Sequence, residues 1–348
     1  MRQYDIVIIG GGQAALAAGY YLRRSSKSLL IVDAETSPGG AWQHTWPSLR
    51  LFSPARWSSL PGWLMPPTGD TYPTRAEALA YLAEYERRFA LPVERPTTIA
   101  SVHVDGARLR LACADGAELS AASVISATGT WRAPQLPELP GQATFRGEIL
   151  HSARYDGPLR FTRRRVLVVG GGNSGAQIFA DLIDHADVRW VTQAPPVFLP
   201  DDVDGQVLFD QATARYRALQ EGRTPPPPRS LGDIVMVESV RRVRDRGLLV
   251  AHPMFNAFTE DGVRWPDGRQ DAVDAVIFAT GFRAALAPLA PLATPDARGR
   301  LPMDGVRAAA HPRLFPLGYG DWTGFASATL VGVGRSAKAV ADAIERDR

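Results

Sequence analysis

A pattern of an apolar run, a cluster of three glycines and a small-residue helical segment occurs twice in this chain. The first copy spans residues 4–15 and the second spans residues 165–178. A continuous β-branched run predicts a strand that is buried on both faces, as in a parallel sheet. The repeat therefore predicts two related α/β units in one chain.

In the first copy, Gly10, Gly12 and Ala15 fit the spacing G-x-G-x-x-G/A after the strand. The first glycine permits a tight turn, the second lets backbone N–H groups approach a pyrophosphate, and the small third residue lets the helix pack closely. A second strand, Leu29–Val32, ends at Asp33, whose carboxylate can accept hydrogen bonds from a ribose diol. This order of elements predicts a dinucleotide site.

The second copy repeats the phosphate turn but lacks the acid. Five residues form its turn: Gly170, Gly172, Asn173, Ser174 and Gly175. The strand after its helix ends at Thr192. Counting from Gly170 by the distance that separates the first glycine from Asp33 leads to Gln193. Two dinucleotide sites in one chain indicate a flavin enzyme that is reduced by a nicotinamide nucleotide.

The amide of Gln193 repels neither a ribose 2′-hydroxyl nor a 2′-phosphate. No arginine stands at or immediately after this position, although selectivity for NADP usually relies on one. We therefore predict that NADH and NADPH are both accepted. Arg189 and Arg223 are the residues that could supply a positive charge from elsewhere in the fold.

A loop rich in glycine, proline and tryptophan follows the first motif. It contains Gly40 and Trp42, then Trp46 and Trp57. Glycines permit close approach of the backbone to a planar ring, so one interpretation is a loop laid over an isoalloxazine. The alternative is that these aromatic side chains cap a hydrophobic core, and the sequence does not decide between the two.

The remaining pattern predicts a helix at Ala14–Arg24, an amphipathic helix that follows Tyr72–Arg75 and runs through Phe89, and an antiparallel meander at Ile99–Leu119. It also predicts strands ending in Ala-Thr-Gly at Ser123–Gly129 and Val276–Phe282, a linker at Pro134–Pro140, short strands at Val235–Arg269 and a closing helix at Ser336–Arg346. Residues 201–228, which include Pro225–Pro228, are predicted to be an irregular insertion or lid.

Composition excludes several other classes of protein. The 348 residues allow two domains with sizeable cores. The formal charge is only +3, and no basic stripe interleaved with aromatic residues indicates a site for nucleic acid. The single cysteine, Cys113, makes no disulfide, CxxC pair or zinc site, which indicates a reducing, cytoplasmic location and no metal. No apolar run approaches the roughly 20 residues of a membrane span.

Several of these features together resemble the flavin-containing monooxygenases, which are class B flavoprotein monooxygenases, of the short bacterial kind. They are the two glycine motifs, Gly39-Gly40-x-Trp42, the two Ala-Thr-Gly strands, Gly320-Asp321 and Phe145-x-Gly147-x-x-x-His151-x-x-x-Tyr155. The last is similar to the F-x-G-x-x-x-H-x-x-x-(Y/W) fingerprint of these and of Baeyer–Villiger monooxygenases. Its ending, Tyr155-Asp156, favours the branch that oxidises heteroatoms.

The resemblance implies an α/β fold with two Rossmann-like dinucleotide-binding domains of the three-layer ββα/βαβ type. Residues 1–158 and 280–348 would form a discontinuous FAD-binding domain, and residues 159–279 the NAD(P)H-binding domain. FAD would contact Gly10, Gly12, Gln13, Ala14, Asp33, Gly40, Trp42, Val102, Thr128 and Asp321, the last of these at the ribitol. NADPH or NADH would contact Gly170, Gly172, Asn173, Ser174, Gly175, Thr192 and Gln193.

The implied reaction is reduction of FAD by NAD(P)H, addition of O₂ to give a C4a-hydroperoxide, and oxygen transfer to a sulfide or amine. His151 would lie at the hinge between domains, although a lone histidine in a linker is usually structural. Phe52 would lie near the reactive carbon of the flavin, where larger family members have an asparagine. Because Phe52 cannot donate a hydrogen bond, we expect a short-lived intermediate and much uncoupled H₂O₂. A homodimer is common in this family and is expected here.

Three other functions remain to be weighed. A flavin disulfide reductase would share the two-nucleotide architecture but needs redox cysteines beside the flavin, and Cys113 stands alone. The Gly-Tyr-Gly-Asp-Trp-Thr-Gly stretch is also similar to arsenic-resistance-associated flavoprotein monooxygenases. A nucleotide-binding sensor without turnover is the third possibility.

Overall fold

The first sheet organises both ends of the chain. The computed structural model describes residues 1–207, 209–210, 214, 218, 221–224 and 233–347. The strands of this sheet are β1 (Arg2–Ile9), β2 (Leu29–Val32), β3 (Val93–Glu94), β4 (Ile99–Asp105), β5 (Arg108–Cys113), β6 (Glu118–Ser126) and β17 (Leu314–Pro316). They run in the order β3-β2-β1-β6-β5-β4, and β17 also pairs with β6.

Strand β6 joins the predicted meander to the buried parallel strands. Its first half pairs antiparallel with β5, and its second half pairs parallel with β17. From Leu119 to Ser126 it pairs parallel with β1. The sequence predicted a meander followed by a separate strand, whereas the structure has one continuous strand that serves both.

The second sheet is entirely parallel and contains the second glycine motif. Its strands are β7 (Glu148–His151), β8 (Arg165–Val169), β9 (Asp187–Thr192), β10 (Ala251–Pro253) and β14 (Ala275–Phe278), in the order β10-β9-β8-β14-β7. The small sheets comprise β11 (Ala257–Thr259), β12 (Gly262–Arg264) and β13 (Gln270–Ala272), and β15 (Met303–Asp304) with β16 (Arg307–Ala308). The parallel strands in both large sheets confirm the predicted α/β fold with Rossmann-like domains.

The helices are α1 (Gln13–Leu22), α2 (Arg75–Arg88), α3 (Asn173–Leu182), α4 (Glu238–Asp245) and α5 (Leu330–Arg346). Helix α2 begins at a capping box in which Thr74 and Glu77 bond each other's backbone amides. Helix α5 begins six residues before the predicted Ser336, because Thr329 caps it by accepting a hydrogen bond from Gly332 N at 3.1 Å.

The prediction of short strands throughout Val235–Arg269 was wrong at its start, where α4 lies. Val240 and Val243 are its buried residues, at a helical spacing of three, while charged residues occupy most of the other positions. In the insertion predicted as irregular, residues 205–207 and 209–210 are helical. Pro225–Pro228 lie outside the described residues.

The chain crosses between the sheets twice, along two adjacent linkers. Pro134 on the outgoing linker bridges Phe282 on the returning one, and Gln135 N donates to the Gly281 carbonyl at 3.0 Å. Strand β7, which precedes the predicted boundary after residue 158, pairs with β14 in the second sheet. Its pairing groups Glu148–His151 with the strands of the second unit, and the division into domains stays a prediction.

No helix within the described ranges of the chain has both the length and the apolar character needed to cross a membrane.

Candidate functional site

The first glycine turn lies where β1 ends and α1 begins. Gly10 has φ +107°, and a Cβ there would stand 2.4 Å from the Ala127 carbonyl oxygen, so only glycine fits. Gly12 is the N-cap of α1 and carries no side chain that could bond the first amides. A Cβ on Gly12 would meet only the Cα of Gly40, at 3.7 Å. The turn therefore leaves backbone donors open to a phosphate.

A cavity of about 600 Å³ opens in front of this turn. Such a volume lies within the range of roughly 300–1,000 Å³ that holds small molecules and cofactors. Its wall includes residues 9–14, Asp33, Gly40–Trp42, His44, Thr97–Ala100 and Thr128–Ala133. A glycine turn for a pyrophosphate, an acid for a ribose and a half-buried tryptophan fit the chemistry of FAD.

Gln13 and Trp42 connect three segments of the cavity wall. Trp42 Nε1 donates to Gln13 Oε1 at 3.1 Å, and Gln13 Nε2 donates to the Ala328 carbonyl at 2.7 Å. Ala14, which follows in α1, is buried and also lines the cavity. Gln13 therefore fixes the tryptophan-rich loop and the turn before α5 against the start of α1.

Asp33 is buried and already has a cationic partner. Arg95 Nε donates to Asp33 Oδ2 at 2.8 Å, and Arg95 Nη1 donates to Glu86 at 2.7 Å. Glu35 N donates to Asp33 Oδ1 at 3.3 Å. The carboxylate is thus held in one orientation at the cavity wall, with lone pairs left for a ribose diol.

Thr128 closes the cavity floor through Tyr319. The two hydroxyl oxygens are 2.6 Å apart, and Ser126 Oγ lies at the same distance from the Tyr319 hydroxyl. Burial raises the pKa of Tyr319, while its bonds to Ser126 and Thr128 oppose this shift. The buried phenol therefore stays neutral and orients Thr128 at the end of β6.

Three residues predicted for this site do not line the cavity, and their contact with FAD stays a prediction. Val102, on β4, is fully buried in a core that includes Leu289 and Leu301, and residues 97–100 line the cavity. Asp321 is exposed in a neighbouring cleft that shares Thr130 and Ala284 with the cavity, and Gly318 lines the cavity itself. Phe52 packs against Phe209 and against the hydrophobic core of the second unit, not on the cavity wall. Its loop is held against α3 by the hydrogen bonds between Arg50 and Gln177.

The second glycine turn repeats the geometry of the first. Gly170 has φ +145°, and a Cβ there would stand 2.3 Å from the Ala279 carbonyl oxygen. A Cβ on Gly175 would stand 2.2 Å from the Gly170 carbonyl oxygen, which also accepts a hydrogen bond from Trp190 Nε1 at 2.7 Å. Each first glycine thus packs on the alanine of an Ala-Thr-Gly strand, which explains why both motifs are doubled.

Gly172 is the N-cap of α3, and Ser174 is exposed beside it, so both can face a phosphate. Asn173 points in another direction. Its Nδ2 donates to the Asp233 carbonyl at 3.0 Å, and its Oδ1 accepts from Val235 N at 2.9 Å. The Asn173 side chain therefore ties the start of α3 to the segment before α4.

The strand register shifts the comparison with Asp33 by one residue. Gly10 N bonds the Val32 carbonyl, and Gly170 N bonds the Val191 carbonyl. The residue after Val191 is Thr192, and a Cβ on Gly171 would lie 3.6 Å from Thr192 Cγ2, just as Gly11 faces Asp33. Buried Thr192, not exposed Gln193, therefore occupies the position equivalent to Asp33.

Neither arginine that could supply charge to this site is free. Arg189 Nη1 bonds Asp271, and Arg223 bonds Glu221. Both positive charges are therefore neutralised by carboxylates.

His151 ends β7 at the crossing of the linkers. Its Nδ1 accepts a hydrogen bond from Ala153 N at 3.1 Å, so its Nε2 carries the proton and donates to the Gly281 carbonyl at 2.9 Å. Burial lowers the pKa of His151, against the bond to Gly281, which raises it. A neutral imidazole held at both nitrogens fits a hinge contact rather than an acid or base.

The rest of the fingerprint is packed in the second unit. A Cβ on Gly147 would collide with the Phe145 ring, which lies 5.0 Å from the Phe258 ring. Tyr155 is buried, and its hydroxyl donates to Asp181 Oδ2 at 2.7 Å. Trp46 from the tryptophan-rich loop contacts Tyr155 edge-on at 6.0 Å, so this tryptophan caps a core.

Known proteins share this architecture. Residues 7–221 match the family described as pyridine nucleotide-disulphide oxidoreductase. A double variant of a flavin monooxygenase from Stenotrophomonas maltophilia is 50% identical, with 99% of both chains covered and a TM-score of 0.91. The flavin-containing monooxygenase from the same organism is 49% identical over 99% of this chain and 98% of that one, with a TM-score of 0.90.

This chain belongs to the flavin-containing monooxygenases.

A plant relative agrees with this assignment. Indole-3-pyruvate monooxygenase YUCCA8 from Oryza sativa subsp. indica is 30% identical over 294 residues, which cover 73% of this chain and 70% of that protein. This protein, like other members of its family, uses FAD and a nicotinamide nucleotide together with O₂. The single cysteine of this chain, Cys113, is buried in β5. The chain therefore lacks the pair of thiols that the disulfide chemistry named in the wider family's description requires.

Sequence reasoning missed several residues that line the cavity or contact its wall. Arg95 and Tyr319 act through buried polar contacts with Asp33 and Thr128, and no motif marks them. Gly318 stands two residues before the Gly320-Asp321 pair that attracted the prediction. The strand β17 ends at Pro316, and the residues just beyond a parallel strand's carboxyl end are the usual place for ligand contacts, which is the signal that favours Gly318.

Proposed function

We propose that this monooxygenase transfers one oxygen atom from O₂ to soft nucleophiles, namely sulfides and amines. The observation that carries the proposal is the pair of equivalent glycine turns at Gly10 and Gly170, one at the large cavity and one at the start of α3. Two such turns in one chain hold an oxygen-activating cofactor and its electron donor. The Tyr155-Asp156 ending of the fingerprint supports heteroatom oxidation.

The chain's own residues bind, orient and exclude water. Gly12 and the first amides of α1 would hold the FAD pyrophosphate, and Asp33 would accept from the adenosine ribose. Trp42 and Gly40 would border the flavin, which when reduced supplies the oxygen-activating chemistry. The cavity wall is built largely from glycines, alanines and the Trp42 ring, and this apolar surface restricts water.

The second turn would hold NADH or NADPH at Gly170, Gly172, Ser174 and Gly175. Thr192 and Gln193 carry no charge that would discriminate a 2′-hydroxyl from a 2′-phosphate. We therefore propose that both nucleotides reduce the enzyme. The FAD domain would comprise the chain up to the first linker and residues 280–348.

A homodimer in the cytoplasm completes the proposal. The family resemblance supports the dimer, and the single cysteine supports a reducing compartment. Light scattering of the purified protein at several concentrations tests the dimer.

The test of function uses the FAD-loaded protein with NADH and O₂. Methyl phenyl sulfide, a tertiary amine, a cyclic ketone and an aromatic disulfide are each supplied, and products are separated by chromatography. We expect sulfoxide and N-oxide. Lactone formed faster than sulfoxide, or reduction of the disulfide dye without O₂ uptake, would overturn the substrate class.

A further inference from the structure

Gln177 crosses the boundary between the two nucleotide-binding units. It lies on α3, just after the second glycine motif, and only 7% of its surface is exposed. Its Oε1 accepts a hydrogen bond from Arg50 N at 3.2 Å, and its Nε2 donates to the Arg50 carbonyl at 3.3 Å. One buried amide thus satisfies both backbone groups of a residue in the tryptophan-rich loop.

Arg50 continues this connection towards the large cavity. It bridges Thr74, and Leu51 N donates to the Pro73 carbonyl at 2.9 Å, so the loop is paired with the start of α2. Arg75, which follows Thr74 in the chain, donates a hydrogen bond from its Nε to the Trp42 carbonyl at 3.1 Å. A continuous hydrogen-bonded path therefore leads from α3 to the tryptophan of the cavity wall.

The same loop is anchored a second time by Trp46. This side chain is 5% exposed and packs in the core of the second unit, edge-on to Tyr155. Apolar packing resists separation of the units but is tolerant of sliding, whereas two hydrogen bonds to one backbone residue fix its position along α3. Gln177 thus supplies the register that Trp46 does not.

Hydride transfer from a bound nicotinamide to a flavin would depend steeply on such register. A misplacement of about 1 Å by a residue remote from the chemistry can cost on the order of 100-fold in rate. We propose that Gln177 is a positioning residue for flavin reduction, which sets the start of α3 against the loop that carries Trp42. The inference rests on the proposed assignment of the second glycine turn to NADH or NADPH.

The kinetic test compares Gln177→Leu with wild type and with Gln142→Leu. Leucine keeps much of the volume and removes both bonds to Arg50. Gln142 accepts one bond from Leu139 N at 3.2 Å within one unit, so its variant controls for loss of a glutamine. On anaerobic mixing with NADH, we expect the limiting rate of flavin bleaching to fall about 10-fold in Gln177→Leu only, with nucleotide affinity within about 2-fold of wild type.

A second readout needs no cofactor. Hydrogen exchange of the apoprotein reports whether Arg50 N–H loses its acceptor, and we expect its exchange to be about 10-fold faster in Gln177→Leu while β8 is unchanged. Gln177→Glu keeps the acceptor for Arg50 N–H and should restore much of that protection.

Unchanged flavin reduction in Gln177→Leu, despite faster exchange at Arg50, would overturn the positioning role. A loss of rate that is fully explained by lost FAD content would overturn it as well. If the wild-type flavin is reduced by neither NADH nor NADPH, the proposed function fails instead, and the exchange result stands apart from it.

Discussion

Gly170 lies directly against Ala279, so that a Cβ on Gly170 would stand 2.3 Å from the Ala279 carbonyl oxygen. The carbonyl belongs to backbone that follows β14 and cannot yield as a flexible side chain would. Gly10 has the same relationship to Ala127. Each glycine turn therefore packs directly against the backbone that follows a neighbouring strand of the same sheet, which is β14 for Gly170 and β6 for Gly10.

Gly170→Ala should slow the reduction of the flavin by NADH while leaving FAD bound. The added methyl forces the turn away from Ala279, so we expect flavin reduction by NADH to slow by about 100-fold, as for a displacement of roughly 1 Å. FAD content, read from the visible spectrum, should stay at the wild-type level. Gly171→Ala is the matched control, because a Cβ there makes only an ordinary contact with Thr192. Equal rates in the two variants would contradict the prediction.

Thr192→Glu should make the enzyme selective for NADH. A carboxylate at the position equivalent to Asp33 accepts from a 2′-hydroxyl and repels a 2′-phosphate. Because a charge-assisted bond contributes about 1.5–3 kcal/mol, the ratio of kcat/KM for NADH over NADPH should rise about 10- to 150-fold. Gln193→Glu, one residue further and exposed, should shift this ratio less. The reverse order would restore Gln193 as the residue that corresponds to Asp33.

Gln13→Leu should weaken FAD retention. It removes the acceptor of Trp42 Nε1 and the donor to Ala328, so two wall segments lose their common contact. Two hydrogen bonds of about 1 kcal/mol each correspond to roughly 10- to 30-fold weaker binding. Fluorescence of released FAD on dilution measures this, and exposed Gln3→Leu serves as the control. Retention as tight as in wild type would show that Gln13 does not hold the wall.

Phe52→Asn tests where Phe52 lies relative to the flavin. The family resemblance predicts that an asparagine would reduce H₂O₂ release, but the structure packs Phe52 on Phe209, away from the cavity wall. We expect the fraction of NADH consumed as H₂O₂ to stay the same or rise. Loss of half-buried packing should lower the free energy of unfolding by about 1–2 kcal/mol. A clear fall in H₂O₂ would place Phe52 beside the flavin.

His151 should make stability depend on pH on the acid side. Its pKa is lowered in the folded state, so the unfolded chain binds more protons below the ordinary histidine value of about 6.5. The stabilising contribution is present above that pH and is lost as the pH falls from there through the lowered pKa of the folded state. Thermal unfolding between pH 7.5 and 5 should therefore show a smaller decrease in Tm for His151→Gln than for wild type. Parallel curves would indicate that His151 titrates normally.

The sequence by itself determined the two α/β units and their glycine turns. These depend on local requirements, namely φ near or above +100° at Gly10 and Gly170 and buried β-branched strands, and such requirements are visible in residue types at fixed spacing. The missed helix α4 shows the limit of this reasoning, because two buried valines among charges fit a short strand and a short helix alike.

Only the tertiary structure decided which side chains meet around each turn. The segment from the glycine turn to the end of the next strand is one residue shorter in the second unit, so Thr192 rather than Gln193 is equivalent to Asp33. Counting along the chain cannot detect this difference. Tertiary packing likewise drew Trp46 and Phe52 into the second unit and placed Gly318 rather than Asp321 on the cavity wall. These contacts join residues far apart in the chain, where orientation is set by packing and register rather than by local propensity.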